Sequence, residues 1–417
     1  VAYVFAHDSQ TFGTDSDESI VKCGSYTGSS SGVNINLGFE PQWVMVKRTD
    51  GSGSWYIMDA MRGFTASNDP VTLKADSADA EGGLAKYRIT STGFDWNSDS
   101  GDSGQEYIYM AIRRPHKPPT AGTEVLAISL QTPQNSWTPG FVSDSMLFTQ
   151  PSSIIDKFWS SRLQGNKAWL LTNSTAAESS SSTAYFHYDD PTNTMRQTYF
   201  QGGADCIFYA FKRAPGFFDV VGYTGDNTNK AYNHNLGVKP ELMLRKSRGG
   251  TADWIGYSAT LGAGYFLTLN DNNGALGGGS NTSRWNNTEP TATQFTVGGS
   301  FSPAEPFLVL LFATLSGISK VGSYTGTGNA INIDCGFSNG ARFVLIKRTD
   351  SNGNWVLFDS TRGIVSGNDP YFKLNTTEAQ KTDENHIGPL NAGFTVSAGS
   401  GGDSNNSGAS YIFLAIA

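Results

Sequence analysis

The residue pairs best placed for chemistry are Asp59 with Arg62 and Asp359 with Arg362, which share the spacing D-x-x-R-G. A carboxylate beside a guanidinium is held in its ionised form and makes a poor general acid. A pair that recurs in two separate stretches suits a structural tie where the chain leaves a strand, and that is the favoured reading. Glycosidase chemistry would need two carboxylates about 5–10 Å apart. Asp95, Asp99, Asp102 and Glu106 crowd one region, but spacing singles out no pair among them. The histidines (His7, His116, His187, His234, His386) share no repeated position, so no nucleophilic triad is expected. His234, in YNHNLG, reads as a surface turn residue.

Two acidic loops, TDSDES at 14–19 and NSDSGDSG at 97–104, have the oxygen-rich composition that hard cations prefer. Neither has calcium-loop spacing with a bidentate Glu at its end, so solvated acidic turns are favoured over a metal. Trp96, Trp137, Trp159 and Trp285 stand outside the repeated signature described below. Such residues either stack on sugar rings or fill a core, and core is the commoner fate. Cys23, Cys206 and Cys335 are odd in number and recur at no fixed place, so they read as small apolar strand residues. The sequence thus assigns no catalytic residue, no metal ligand and no cofactor, and it leaves any ligand-binding residues unspecified.

What would position such residues is a repeated scaffold. GSYTGSSSGVNINLGFEPQWVMVKRTDGSGSWYIMDAMRG at 24–63 returns at 322–363 as GSYTGTGNAINIDCGFSNGARFVLIKRTDSNGNWVLFDSTRG. Trp55, Asp59, Arg62 and Asn68-Asp69-Pro70 map to Trp355, Asp359, Arg362 and Asn368-Asp369-Pro370. A weaker copy carries Gly222-Tyr223-Thr224-Gly225, Leu236-Gly237 and Trp254, with YSATLG replacing the charged signature. The spacing implies a unit of roughly one hundred residues, a common domain size. The expected division is a remnant of an upstream unit plus linker at 1–20, then units at 21–116, 117–215 (the most diverged), 216–316 and 317–417. Val1–Asp8 resembles the strand that closes each later unit, so a truncated or processed longer protein is expected.

Within the first unit, strands are predicted at 21–26, 34–37, 42–47, 54–59, 71–75, 86–90, 93–96 and 107–112, with the Asp-Gly of TDGSGS forming a hairpin turn. SADAE at 77–81 is too short to stand as a helix. Short strands with frequent turns and almost no helix predict an all-β chain of tandem β-sandwiches. The closing strands YIYMAI, CIFYAF, FLVLLF and YIFLAI are apolar on both faces. One face belongs to the sandwich core. The other must meet a neighbouring unit, a folded-over loop or another subunit.

Composition narrows the function classes. The 417 residues are 38% hydrophobic and only 16% charged, so Ser, Thr, Asn and Gly supply most of the polar surface. A net charge of −8 argues against a nucleic-acid partner. No apolar run reaches the length of a membrane span, so no membrane partner is expected.

GSYTG…LGFEPQWVMVKRTDGSGSW…MRG, the junction KRAPGFFDVVGYTG at 212–225, and KVGSYTGTGNAINIDCGF…ARFVLIKRTD…YIFLAIA resemble a repeat of tail and tail-fibre-like virion proteins of tailed bacteriophages, especially marine ones. The likeness covers about 21–417. It implies a virion structural or host-attachment protein with sandwich domains similar to concanavalin-like lectins or jelly rolls, and it transfers no catalytic or binding residue. The leading expectation is a non-enzymatic phage appendage. Its partners would be copies of itself as an oligomer (a trimer is the working guess), other virion proteins, and a host-surface glycan or protein. A purely architectural virion role, a polysaccharide depolymerase and a secreted bacterial adhesin are the alternatives.

Overall fold

The computed structural model describes residues 2, 4, 5, 7, 10–12, 18–66, 71–83, 86–96, 103–131, 136–181, 186, 188, 195, 196 and 204–417. Its regular structure is almost wholly antiparallel strand, arranged as tandem β-sandwiches. In the first sandwich the strands are β1 (Val21–Thr27), β2 (Val33–Asn36), β3 (Pro41–Arg48), β4 (Tyr56–Asp59), β5 (Val71–Lys74), β6 (Gly82–Gly83), β7 (Tyr87–Thr90), β8 (Gly93–Trp96) and β9 (Glu106–Arg113). The larger sheet runs β1-β9-β3-β4-β5-β6 and the smaller β2-β8-β7. Alternation along β3 and β4 turns Val44, Val46 and Met58 inward onto Phe94 and Trp96 of β8. Every predicted strand of this sandwich is present. The unpredicted β6 is two glycines, which carry no side-chain alternation to read.

The same order recurs three times. Strands within 126–180 and 206–211 make a six-stranded sheet, strands within 218–277 and 306–312 another, and strands within 319–373 and 410–416 a five-stranded one. The registers align the sheets residue by residue. Asp59, Ser161, Ser258 and Asp359 face Trp43, Ser145, Leu242 and Phe343. Those four in turn face Ile112, Phe211, Phe312 and Ile416 on the closing strands.

The second, third and fourth sandwiches close head-to-tail into a ring. Trp254 donates its indole Nε1–H to the Leu171 carbonyl at 2.8 Å, and Trp355 donates to the Thr268 carbonyl at 2.8 Å. At the same register of the second sandwich Lys157 takes the tryptophan's place, and its Nζ donates to the Glu378 carbonyl at 2.8 Å. Each joint adds two backbone bonds at equivalent positions. Ala252 N–H reaches the Thr175 oxygen at 2.9 Å and Glu178 N–H the Arg248 oxygen at 3.0 Å. Gly353 and Ala275 repeat these bonds to Asn272 and Thr349 at 2.8 and 2.7 Å, and Ile155 and Gln380 repeat them to Thr377 and Pro151, both at 2.9 Å. Three joints of one kind that return to their starting point make a closed, heterologous ring.

The second apolar face of each closing strand fills the centre of that ring. Phe211 lies 6.2 Å from Phe312 and 5.8 Å from Phe343, ring centre to ring centre. All three are buried, as are Leu310, Leu414 and Ile416. The first sandwich sits outside the ring. Ala66 N–H bonds the Leu163 oxygen at 3.1 Å, and a buried ionic cluster joins Glu40 to Arg213 at 2.8 Å and Arg114 to Asp219 at 3.2 Å. Within the single chain, the outer face of β9 is left partly uncovered, with Ile108 42% exposed. Its outer face has no described neighbour equivalent to those within the ring.

Candidate functional site

The chemistry-bearing feature that departs most from the repeat lies inside the third sandwich. The strand Leu242–Ser247 places Arg245 opposite Val309 and Ile255, at the inward-facing register held by Val46 in the first sandwich and Ile346 in the fourth. A guanidinium therefore stands where its equivalents are apolar. It lies over the rings of Trp285 (5.6 Å) and Phe307 (5.3 Å), and Nη2 donates to the Phe301 carbonyl at 2.8 Å. Arg284 stacks on Phe301 at 3.2 Å. Burial, and then the charge of Arg245, push the Arg284 guanidinium down to about 10.

Both arginines line a cleft of about 310 Å³ at the mouth of this sandwich, together with Asp253, Glu305 and Phe301. Ser247 donates to Glu305, and Asn270 Nδ2 donates to Asp253 at 2.9 Å. Around the cleft, Tyr223 shares hydrogen bonds with Ser302 and Arg245, while Arg284 Nε and Trp285 Nε1 are buried without a partner among the described residues. Buried polar groups are nearly always satisfied, so a pair of unsatisfied donors marks a place where an acceptor-rich molecule fits. Phe301, 44% exposed, adds an apolar surface at the rim. The first sandwich opens at the equivalent end, in a cleft of about 150 Å³ lined by Arg48, Tyr56, Lys86, Trp96, Gln105 and Tyr107.

The structure also assembles a constellation that spacing did not suggest. His386 Nδ1 lies 2.7 Å from Ser404 Oγ, and its Nε2 lies 2.7 Å from Glu384 Oε2. The residue types match a serine triad, but Ser404 is 0% exposed and presents no oxygen to a substrate. These bonds instead tie the loop before the last strand to the smaller sheet. His234 corrects the surface-turn expectation. It is buried, with its ring stacked beside Phe295 at 6.5 Å and Nδ1 accepting from Leu236 N–H at 3.2 Å. An apolar cavity wall and a turn needing an acceptor suit the same neutral imidazole.

The D-x-x-R pairs are structural ties. Asp59 accepts from the Met61 and Arg62 amides at 3.0 and 2.9 Å while its other oxygen takes Arg62 Nε at 2.7 Å. Asp359 repeats this pattern with Thr361 and Arg362, fully buried, and also accepts from Tyr209 of the second sandwich at 2.7 Å. In the third sandwich Ser258 replaces the carboxylate, its hydroxyl accepting from Thr260 N–H at 3.3 Å.

Of the tryptophans weighed for sugar stacking, Trp96, Trp159 and Trp285 are buried in cores, so a free stacking face is excluded for them. Trp137 is half-buried, 6.3 Å from the Phe208 ring. Residues 14–17, 67–70 and 97–102, which hold most of both acidic loops and Asn68-Asp69-Pro70, lie outside the described residues, as does His187. Among the described residues no cluster of three potential metal-ligating side chains occurs, and no helix is long and apolar enough to cross a membrane. None of the three cysteines is in a disulfide; burial pushes the Cys206 thiol up to about 11 and Cys335 up to about 12.

A comparison with curated proteins finds no match. Residues 1–115 and 217–417 match a family described as a domain of unknown function, DUF7483. The second sandwich lies outside the match, although its larger sheet follows the order of the others. With most of its length matched, the chain belongs to the DUF7483 family.

Proposed function

We propose that this chain is a non-enzymatic attachment protein of a bacteriophage virion, in its tail or a surface appendage, which holds host-surface glycans at the mouths of its sandwiches. The phage assignment rests on the sequence resemblance. The observation that carries the binding role is the pair of guanidiniums, Arg245 and Arg284, that line one cleft with Arg284 Nε left unsatisfied, beside the acceptors Asp253 and Glu305 and the exposed ring of Phe301. Few polar groups placed on a partly apolar concave wall are what a small-ligand site requires. Guanidinium donors favour a saccharide that bears a carboxylate or sulfate over a neutral one. The test is a glycan array with acidic and neutral host polysaccharides. Binding of acidic members that Arg284→Ala abolishes supports the reading; equal signals from wild type and variant sink it.

One observation favours a second reading, a polysaccharide depolymerase: Asp253 and Glu305 line the same cleft. New reducing ends after incubation with host exopolysaccharide, lost in Glu305→Gln, would establish that activity in place of simple binding.

A further inference from the structure

The first sandwich carries both halves of the joint that closes the ring, and among the described residues of a single chain neither half is used. By register, Trp55 corresponds to Trp254 and Trp355, and Lys47 to Lys246 and Lys347. In the ring, Lys246 Nζ donates to the neighbour's Thr175 carbonyl at 2.8 Å, and Lys347 to that of Asn272 at 3.2 Å. Lys47 reaches only its own Gly53 carbonyl. The receiving side is present too. Ala75 N–H bonds the Trp55 oxygen as Leu374 bonds Trp355 and Leu269 bonds Trp254, which fixes Lys74, Ala78 and Glu81 as the equivalents of Thr268, Asn272 and Ala275. Among the described residues, the amides of Gly53 and Glu81 and the carbonyls of Thr49 and Ala78 have no partner. Every residue from 75 to 81 is exposed, whereas the equivalent stretches of the ring are mostly half-buried.

The apolar face agrees with the backbone. Leu357, Phe372 and Ile412 are buried at the ring's centre, as are Leu267 and Leu308 in the third sandwich. Their counterparts Ile57 and Leu73 are half-buried, and Ile108 is the exposed residue noted above. An apolar patch of this kind beside a row of unpaired backbone groups is an interface in waiting, or else an aggregation hazard.

We infer that the first sandwich is a trimerisation module, and that its occupant is the first sandwich of two further copies of this chain. A surface that holds both complementary halves of one joint associates head-to-tail. The rotation between successive sandwiches of the ring closes after three, so the same joint between chains closes after three copies. In the assembled trimer, Trp55 Nε1 donates to the next chain's Lys74 carbonyl, Gly53 N–H to its Ala78 carbonyl, and Lys47 Nζ to that same oxygen. Glu81 N–H donates back to the Thr49 carbonyl. Ile57, Leu73 and Ile108 of the three chains bury one another at the axis. This inference stands on the ring geometry and holds whether or not the clefts bind glycans.

Light scattering during size exclusion of the 417-residue chain at micromolar concentration tests it, with the circular dichroism melt as a check on folding. The expected mass is three times 44.7 kDa. Ile108→Glu alters a side chain that a single chain leaves exposed. It should return the mass to one chain, weakening association on the order of 100-fold or more by placing three unpaired carboxylates at one axis, with the ring's melt unchanged. Trp55→Ala, which touches the edge instead of the axis, should weaken the trimer as well. A single chain or a dimer as the wild-type species overturns the inference, as does a trimer that survives both substitutions.

Discussion

Lys157 of the second sandwich reaches the Glu378 carbonyl of the fourth at 2.8 Å, from the register that Trp254 and Trp355 occupy at the other two joints of the ring. The acceptor differs: Glu378 lies beside the equivalent of Thr175 and Asn272, which Lys246 and Lys347 reach at the other joints. Lys157 thus supplies their lysine contact from the tryptophan's register. Trp254→Phe and Trp355→Phe remove one hydrogen bond each and keep most of the apolar volume, so each should cost about 1 kcal/mol in denaturant unfolding. Lys157→Met leaves the Ile155 and Glu378 carbonyls without their shared donor and should cost more, about 2–3 kcal/mol. Equal losses at the three positions would contradict the larger cost assigned to leaving two carbonyls without a donor.

The sandwiches were legible because alternation, Gly-bearing turns and the repeat of Trp55 at Trp355 all report local structure. The ring was not, since its partners are backbone carbonyls such as those of Leu171 and Thr268, which any residue supplies. In the second sandwich the substitution of Lys157 and Ser161 for tryptophan and aspartate erased the signature while the registers kept the sheet. The cleft leaves one trace in the sequence. Arg245 interrupts the apolar run of LMLRKS at a position where the parallel strands carry Val46 and Ile346. Trp285, weighed as a stacking surface, turned out to be a wall under that arginine.

At the junction of the first sandwich, buried Glu40 bonds buried Arg213, which also lies 3.4 Å from half-buried Asp144. Removing one member strands a buried charge, so Glu40→Ala should destabilise by about 3–5 kcal/mol. It should also speed proteolytic cleavage of the 113–120 linker, which the intact junction holds against the third sandwich. A paired apolar replacement, Glu40→Leu with Arg213→Met, should recover much of the loss. If the double variant is as unstable as the single, the cluster contributes more than mutual compensation.

Acid should loosen the fold through its imidazoles, of which His234 and His386 are buried and His116 half-buried. Burial, helped by Arg114 and Arg113, pushes His116 down to about 3 from the ordinary 6.5, and burial lowers His234 and His386 as well. Between those values the unfolded chain binds protons that the folded chain refuses. Their contribution is therefore complete above pH 6.5 and is lost as pH falls, by at most about 1.4 kcal/mol per pH unit for each histidine. Asp369 acts in the opposite sense: burial raises its carboxyl to about 6, so its contribution is present below 3.8 and is lost as pH climbs to 6. Urea midpoints should fall from pH 7 to pH 5, and the fall should be shallower in His116→Asn and steeper in Asp369→Asn. A flat profile in the wild type would exclude these groups as its main titrating elements.

Arg245 separates stability from binding. Its guanidinium is buried where the equivalent positions are apolar, and its neighbour Arg284 adds a like charge, so the pair should cost the empty third sandwich stability. Arg245→Ile restores the residue type of Ile346 at this register and should leave the melting temperature unchanged or raise it by a few degrees. The same change removes the cleft's central donor and should abolish retention of acidic polysaccharide. A gain in stability with loss of binding is the signature of a site kept for its ligand, because a residue kept for packing would lose both or neither. Substitution at Arg48, in the equivalent mouth of the first sandwich, should leave the binding by the third intact, since the two clefts belong to separate cores.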